Sequence, residues 1–262
     1  MSLLTDSQLD RYARHIVLHD IGGAGQKALL GAKVAVVGAG GIGAPALLYL
    51  AAAGVGTLGI IDDDTVSLSN LQRQVLFQSE DVGKTKVSAA EAHLSVLNPD
   101  PIIHQHALRL TEDNVESLLA PYDIVLDGCD TFATRLIVGA ACHRLGKTLV
   151  SAAVGQFDGQ LSVFASHDGE SPCYRCLVGD VRDEPGRSCA DEGVVGALTG
   201  VLGSWAALEV IKLITGAGKP LIGQLMLFDG LSGRVRTLKL KRDHACPVCS
   251  SDSASSARAS YP

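Results

Sequence analysis

The chain has 262 residues, 47% of them hydrophobic and 19% charged, with a net charge of -6. That length suits one large domain or two small ones with a sizeable core, and the negative balance argues against a general nucleic-acid binder, which would be basic. The longest uncharged apolar run, 193–208, is shorter than the ~18 residues of a membrane span, and no N-terminal stretch has the form of a secretion signal, so a cytoplasmic protein with no membrane partner is expected.

Thr5-Asp6-Ser7-Gln8 has the form of a capping box and predicts a helix to about His19, carrying Arg11, Arg14 and His15. A short helix over 26–30 leads into Lys33–Val37, an apolar, β-branched run that reads as a buried strand. The strand breaks at Gly38-Ala39-Gly40-Gly41-Ile42-Gly43, and an Ala/Leu-rich helix follows to Gly54. In this spacing Gly38 allows a tight turn, Gly40 lets backbone approach a phosphate, and Gly43 lets helix and strand pack closely. The helix N-terminus offers free N–H groups to an anion. A second strand, Thr57–Ile61, ends in Asp62, where a carboxylate can hold a ribose hydroxyl. Together these features specify a nucleotide site without saying which nucleotide.

The stretch 63–74 is polar and irregular, and 84–97 is helical up to Asn98-Pro99. Ile102–His106 reads as a third strand, Thr111 caps a helix to about Ala120, and 123–127 is a fourth strand ending in Gly128-Cys129-Asp130. A helix over 131–145 and a fifth strand over 148–152 complete a strand–helix alternation, the signature of a doubly wound parallel sheet. The pattern then changes. A strand over 159–165 has no helix after it, 168–191 is loop, 194–215 is a long apolar helix, and 224–228 with 234–241 form a hairpin. These late strands are expected to extend the sheet antiparallel. The predicted organisation is one domain over 1–249: N-terminal helices to 32, a nucleotide half over 33–152, and a second half over 153–249. The Ser/Ala-rich tail 250–262 is expected to be disordered.

Four of the seven cysteines form two C-x-x-C pairs, Cys173/Cys176 and Cys246/Cys249. Two such knuckles supply four thiolates for a tetrahedral zinc with no open position, so the site reads as structural. A second constellation gathers at the carboxyl edge of the parallel strands, where open α/β sheets bind ligands. Asp127 and Asp130 follow the fourth strand; Asp130 is the better placed to hold Mg2+, with capping of the next helix as its competing use. Asn70, Arg73 and Lys86 follow the ribose acid, where they suit phosphate chemistry. Cys142 reads as a buried small hydrophobe and Cys129 as facing the sheet. Cys189 lies in a polar loop near Arg182 and Arg187, which would lower its pKa.

The glycine turn, the run Asp64-Thr65-Val66-Ser67-Leu68-Ser69-Asn70-Leu71-Gln72-Arg73-Gln74 and the two cysteine pairs together resemble the MoeB/ThiF adenylyltransferases, bacterial relatives of ubiquitin-activating enzymes. The resemblance runs from Arg11 to Cys249. It implies ATP and a small ubiquitin-fold sulfur-carrier protein as substrates, an acyl-adenylate as product, and later thiocarboxylation by a separate sulfur donor. It implies that Gly41 contacts the nucleotide, that Asp62 holds the ribose, and that Ser69, Asn70, Arg73 and Lys86 line the phosphate path. It further assigns Mg2+ to Asp130, zinc to the four paired cysteines, and a role for Arg14 in the partner subunit's site, hence a homodimer. Cys189 matches the crossover-loop cysteine, with any role confined to the sulfur-transfer stage. The chain departs from the family at Thr131, where Asn is usual. The carrier is either MoaD-like or ThiS-like, with residues 64–68 and 218–220 closer to the former.

Two other classes fit parts of the chain. An NAD-dependent dehydrogenase would use the glycine turn and Asp62 but leaves Asn70, Arg73, Lys86 and Asp130 without work. A non-catalytic zinc scaffold predicts no ATP–pyrophosphate exchange with any carrier.

Overall fold

The computed structural model describes residues 4–179 and 193–250. Its frame is an eight-stranded sheet in the order β3-β2-β1-β4-β5-β6-β7-β8. Strands β1 (Lys33–Val37), β2 (Thr57–Ile61), β3 (Ile102–His106), β4 (Ile124–Asp127) and β5 (Thr148–Gly155) run parallel. Strands β6 (Asp158–Phe164), β7 (Gln224–Asp229) and β8 (Arg234–Lys239) continue the sheet antiparallel, as the change of sequence pattern predicts.

Strand β1 shows why the parallel half forms. Val34 and Val36 face one apolar layer, while Ala35 and Val37 face the other. All four are buried, so the strand is an apolar run rather than an alternating one, as expected of a sheet covered on both faces. The first layer is closed by α4 (Gly43–Ala52), α5 (Lys86–Leu97) and α9 (Gly196–Thr215), through Leu47, Leu50, Leu94 and Leu202. The second is closed by α6 (Val115–Leu119), α7 (Phe132–Arg144) and α8 (Tyr174–Val178), through Leu119, Val138 and Tyr174. Each fully buried Leu or Val contributes about 1.5–3 kcal/mol of transfer free energy.

Two helices differ from their sequence reading. The predicted N-terminal helix is broken into α1 (Asp6–Arg11) and α2 (Ala13–Ile16). The Thr5/Gln8 capping box starts it as expected. The break falls at Tyr12, which is buried against Gly54 and donates its hydroxyl to Asp100 at 2.8 Å while accepting from Asn98. Helix α9 has 20 residues, long and apolar enough to cross a membrane by length and composition. Here it packs against α4, β5 and β6, and also against α3 (Gly22–Gly31). Its fully buried Glu209 binds Lys212 at 2.6 Å and the Leu221 N–H at 2.8 Å, so the charge is compensated within the fold.

Candidate functional site

Strand order reverses between β1 and β4, and the crevice outside their carboxyl ends is where an open α/β sheet binds ligands. A cavity of about 490 Å³ lies there. The glycine turn forms its floor. Gly38 has φ +85°, a left-handed conformation that glycine adopts freely. Gly43 opens α4, and a Cβ there would sit 1.8 Å from the Gly38 carbonyl oxygen, so only glycine lets the helix start this close to the turn. Gly38, Gly40 and Gly41 line the cavity and Gly43 lies behind it. Gly41 has a packing role as well: a Cβ there would press on Thr199 of α9 at 3.0 Å.

Asp62 leaves the end of β2 and binds the turn itself. One carboxylate oxygen accepts the Ala39 N–H at 2.7 Å and the other the Asp64 N–H at 2.9 Å. Burial raises its pKa, and the nearby Lys86 ammonium only partly offsets this. Lys86, the first residue of α5, points its ammonium into the cavity with a side chain only 6% exposed. It binds Asp64 at 2.8 Å and lies 3.9 Å from Asp62. Arg73 lines the same cavity and donates to the Ser69 carbonyl at 3.1 Å. The Ser67-to-Gln74 run is held by a short 3-10 turn, Leu68–Asn70.

On the other wall, the β4–α7 turn presents Gly128, Cys129, Asp130 and Thr131. Asp127 is fully buried and accepts from the Cys129 N–H, the Cys129 thiol and the Ser151 hydroxyl. Asp130 is exposed. The cap of α7 is Thr131, whose hydroxyl accepts the Thr134 N–H at 3.3 Å, so Asp130 is released from the capping use the sequence allowed. Asn and Thr both serve at this capping position, which accounts for the Thr131 departure in physical terms. Cys129 lines the cavity rather than turning away from it; burial and the adjacent Asp127 carboxylate push its thiol well above the usual range, so it stays protonated. Cys142 is buried among apolar residues, as expected.

The structure therefore brings Gly38, Gly40, Gly41, Asp62, Arg73, Lys86 and Asp130 to one cavity. It does not bring Ser69, Asn70 or Arg14 to that lining. Asn70 instead accepts the Ser67 N–H at 3.2 Å, and Ser69 shares a hydroxyl contact with Ser67 at 3.0 Å. Arg14 is exposed on α2. Cys189, with Arg182 and Arg187, lies outside the described residues, as does the tail from 251. The sequence reading missed Asp64, Thr199 and Arg135, all lining residues. Asp64 was visible beside Asp62 as one of three successive acids, and Arg135 as the lone charge in the apolar start of α7.

The four paired cysteines meet at the far end of the sheet. Their Sγ atoms lie 3.7 Å apart for Cys173–Cys176, 3.6 Å for Cys173–Cys246 and 3.4 Å for Cys176–Cys249. Sulfur atoms on a tetrahedron with Zn–S bonds of about 2.3 Å would be about 3.8 Å apart, so the set fits zinc. Burial alone would raise the Cys246 thiol, but the Val248 and Cys249 N–H groups point at it and pull its pKa down. The cluster can hold a metal and would tie the segment after β6 to the segment after β8.

A cavity at a topological switch point, floored by a glycine turn and lined by Arg73, Lys86 and Asp130 among other charged side chains, defines a nucleotide-binding class of protein. The chain matches the ThiF family over residues 12–248, and it belongs to that family. It is 47% identical over 250 residues to the sulfur carrier protein adenylyltransferase of Thermus thermophilus, covering 94% of this chain and 92% of that protein. It is 46% identical over 251 residues to the sulfur carrier protein ThiS adenylyltransferase of Escherichia coli K12, covering 96% and 99%. Among solved structures, E. coli MccB with ATP is similar at a TM-score of 0.78 and 26% identity, over 91% of this chain and 74% of that one.

Proposed function

We propose that this chain transfers AMP from ATP to the C-terminal carboxylate of a small ubiquitin-fold sulfur-carrier protein, releasing pyrophosphate. The observation that carries this reading is the meeting of Lys86, Arg73 and Asp130 around the glycine turn in one cavity. The names of the two relatives support the same class of reaction. The incoming carboxylate is ionised near neutral pH, so the attack needs no general base. It needs an anion brought to an anionic phosphate in line, which is a task of positioning and charge neutralisation. Lys86 is suited to it because its ammonium is buried and oriented by Asp64. Arg73 supplies a second cation in the same cavity, and Asp62 takes the ribose. Asp130 holds Mg2+, which screens the triphosphate when bound. Cys129 takes no part as a nucleophile, because burial, with Asp127 beside it, keeps it protonated.

The chain acts as a homodimer in the cytoplasm, with Arg14 serving the partner subunit's cavity. Cys173, Cys176, Cys246 and Cys249 hold a structural zinc. A separate donor brings sulfur, and Cys189 acts, if at all, at that stage. Two carrier types are candidates: residues 64–68 and 218–220 favour the molybdopterin-synthase type, and the likeness to the ThiS adenylyltransferase favours the thiamine type.

The test is ATP–pyrophosphate exchange with each purified carrier. Exchange should require Mg2+ and one of the two carriers, and Asp130→Ala should abolish it while keeping the fold. Absence of exchange with both carriers would overturn the reaction, and wild-type exchange in folded Asp130→Ala would overturn the magnesium assignment.

A further inference from the structure

The β4–α7 turn, Gly128-Cys129-Asp130, carries Asp130 to the cavity, and what anchors that turn lies beneath it. Asp127 ends β4, fully buried, and accepts the Cys129 N–H at 3.0 Å, the Cys129 thiol at 2.7 Å and the Ser151 hydroxyl at 3.2 Å. Facing it, Arg135 Nη1 stands 4.0 Å from Asp127 Oδ2, on a side chain only 8% exposed. Nη2 of the same guanidinium donates to the Cys129 carbonyl and, at 3.1 Å, to the Ala152 carbonyl of β5. One planar group therefore ties the residue before Asp130 to the neighbouring strand and faces the carboxylate that holds the same residue's N–H.

Such an arrangement is not needed for packing. Taking a guanidinium out of water is costly, and an apolar side chain of similar volume would fill the space between α7 and strands β4 and β5 without that cost. Burial disfavours the charged form of Arg135, but Asp127, Cys129 and Tyr174 together outweigh it and the group stays cationic. What a guanidinium supplies, and a leucine or a lysine does not, is a rigid fork that reaches two carbonyls and a carboxylate at once. A rigid turn matters here because Mg2+ demands near-octahedral geometry at short distances and tolerates little drift in a ligand.

We propose that Arg135 is a positioning residue for Asp130: by fixing the Cys129 carbonyl between Asp127 and β5, it sets the direction in which Asp130 presents its carboxylate to the metal–nucleotide complex. This rests on the reading that Asp130 holds Mg2+. Outer groups that orient a metal ligand typically change metal affinity by about 10–100-fold when removed.

The experiment is calorimetric ATP binding to the full chain, with Mg2+ and with EDTA, for the wild type, Arg135→Lys, Asp127→Asn and Asp130→Ala. Circular dichroism and thermal melts check the fold. Arg135→Lys should bind ATP in EDTA as the wild type does and lose at least about tenfold of the gain in affinity that Mg2+ brings. Asp127→Asn, which keeps shape but removes the facing charge, should lose part of the same gain and serves if Arg135→Lys does not fold. An unchanged Mg2+ gain in folded Arg135→Lys, when Asp130→Ala has lost it, overturns the inference alone. A Mg2+ gain retained in Asp130→Ala overturns the magnesium reading and the inference with it. Equal weakening of ATP binding with and without Mg2+ in Arg135→Lys makes the arginine a nucleotide ligand and overturns the positioning role.

Discussion

Asp81 sits between Arg73 and Lys86 in sequence, and it holds the segment that connects them. Its side chain is 3% exposed and accepts from the Gln78 N–H at 2.9 Å, Lys84 at 2.9 Å and His93 of α5 at 2.6 Å. Burial alone would raise its pKa, but these donors outweigh burial and hold it at about 2. A carboxylate held below its ordinary value stabilises the fold above the unfolded pKa of about 4, and that contribution is lost as pH falls through the folded value. Urea unfolding followed from pH 7 down to 2 should therefore show a loss of stability concentrated between about 4 and 2. Asp81→Asn should flatten that slope and cost about 1–3 kcal/mol at neutral pH, because Lys84 and the other donors lose an ionised acceptor. An identical acid slope in Asp81→Asn would count against the assignment. None of this was legible in the sequence: Ser79-Glu80-Asp81 reads as an ordinary polar loop, and the burial of one acid among three polar neighbours is a tertiary outcome. Asp62 was legible from its spacing past the glycine turn, and Lys86 from the family resemblance. Arg135 was not, because helical periodicity cannot say that a lone charge points inward.

At the scale of elements, the parallel strands were readable because a sheet covered on both faces needs uninterrupted apolar runs. Helix ends were less so. The break at Tyr12 depends on a partner, Gly54, that lies 42 positions away, and no local pattern announces it. The cysteine knuckles are the opposite case, since C-x-x-C spacing states its chemistry locally and the fold only has to bring two pairs together. Their effect reaches beyond the metal. Cys173 precedes α8, and Tyr174 packs so closely on α7 that a Cβ at Gly139 would meet the tyrosine Cβ at 2.8 Å. Its ring also meets Phe164 edge-on, with centroids 5.6 Å apart. The Tyr174 hydroxyl lies beside the Arg135 guanidinium but is out of hydrogen-bonding geometry with any described residue. A zinc held by the four thiolates would thus brace the helix that carries Arg135. Metal analysis of the purified chain should find stoichiometric zinc, and Cys246→Ser should lose it and lower the melting temperature by at least about 5 °C. Fresh protein free of zinc would refute the assignment.

At the scale of the whole molecule, Arg14 bears on the proposal that one chain does not complete the site. Tyr12 binds Asp100 and Asn98, which precede β3, and packs on Gly54, which precedes β2. His15 in turn holds Gln26 at 3.0 Å, and Gln26 holds the Ala53 carbonyl at 2.9 Å. Helices α1 and α2 therefore sit at the amino edge of the sheet, while the cavity opens at the carboxyl edge. Five-residue strands keep the two edges about 16 Å apart, beyond the reach of an arginine side chain. The resemblance gave Arg14 a role across a dimer, and its exposed position away from its own cavity supports that role. Arg14→Ala and Arg73→Ala should each lower exchange strongly when alone. Mixed and allowed to exchange subunits, they should regain about a quarter of wild-type activity, since half the dimers are mixed and each mixed dimer holds one site with both arginines. Recovery should track the fraction of mixed dimers measured by native mass spectrometry. Proven subunit exchange with no return of activity would place Arg14 and Arg73 in the same chain's site and overturn the role across the dimer.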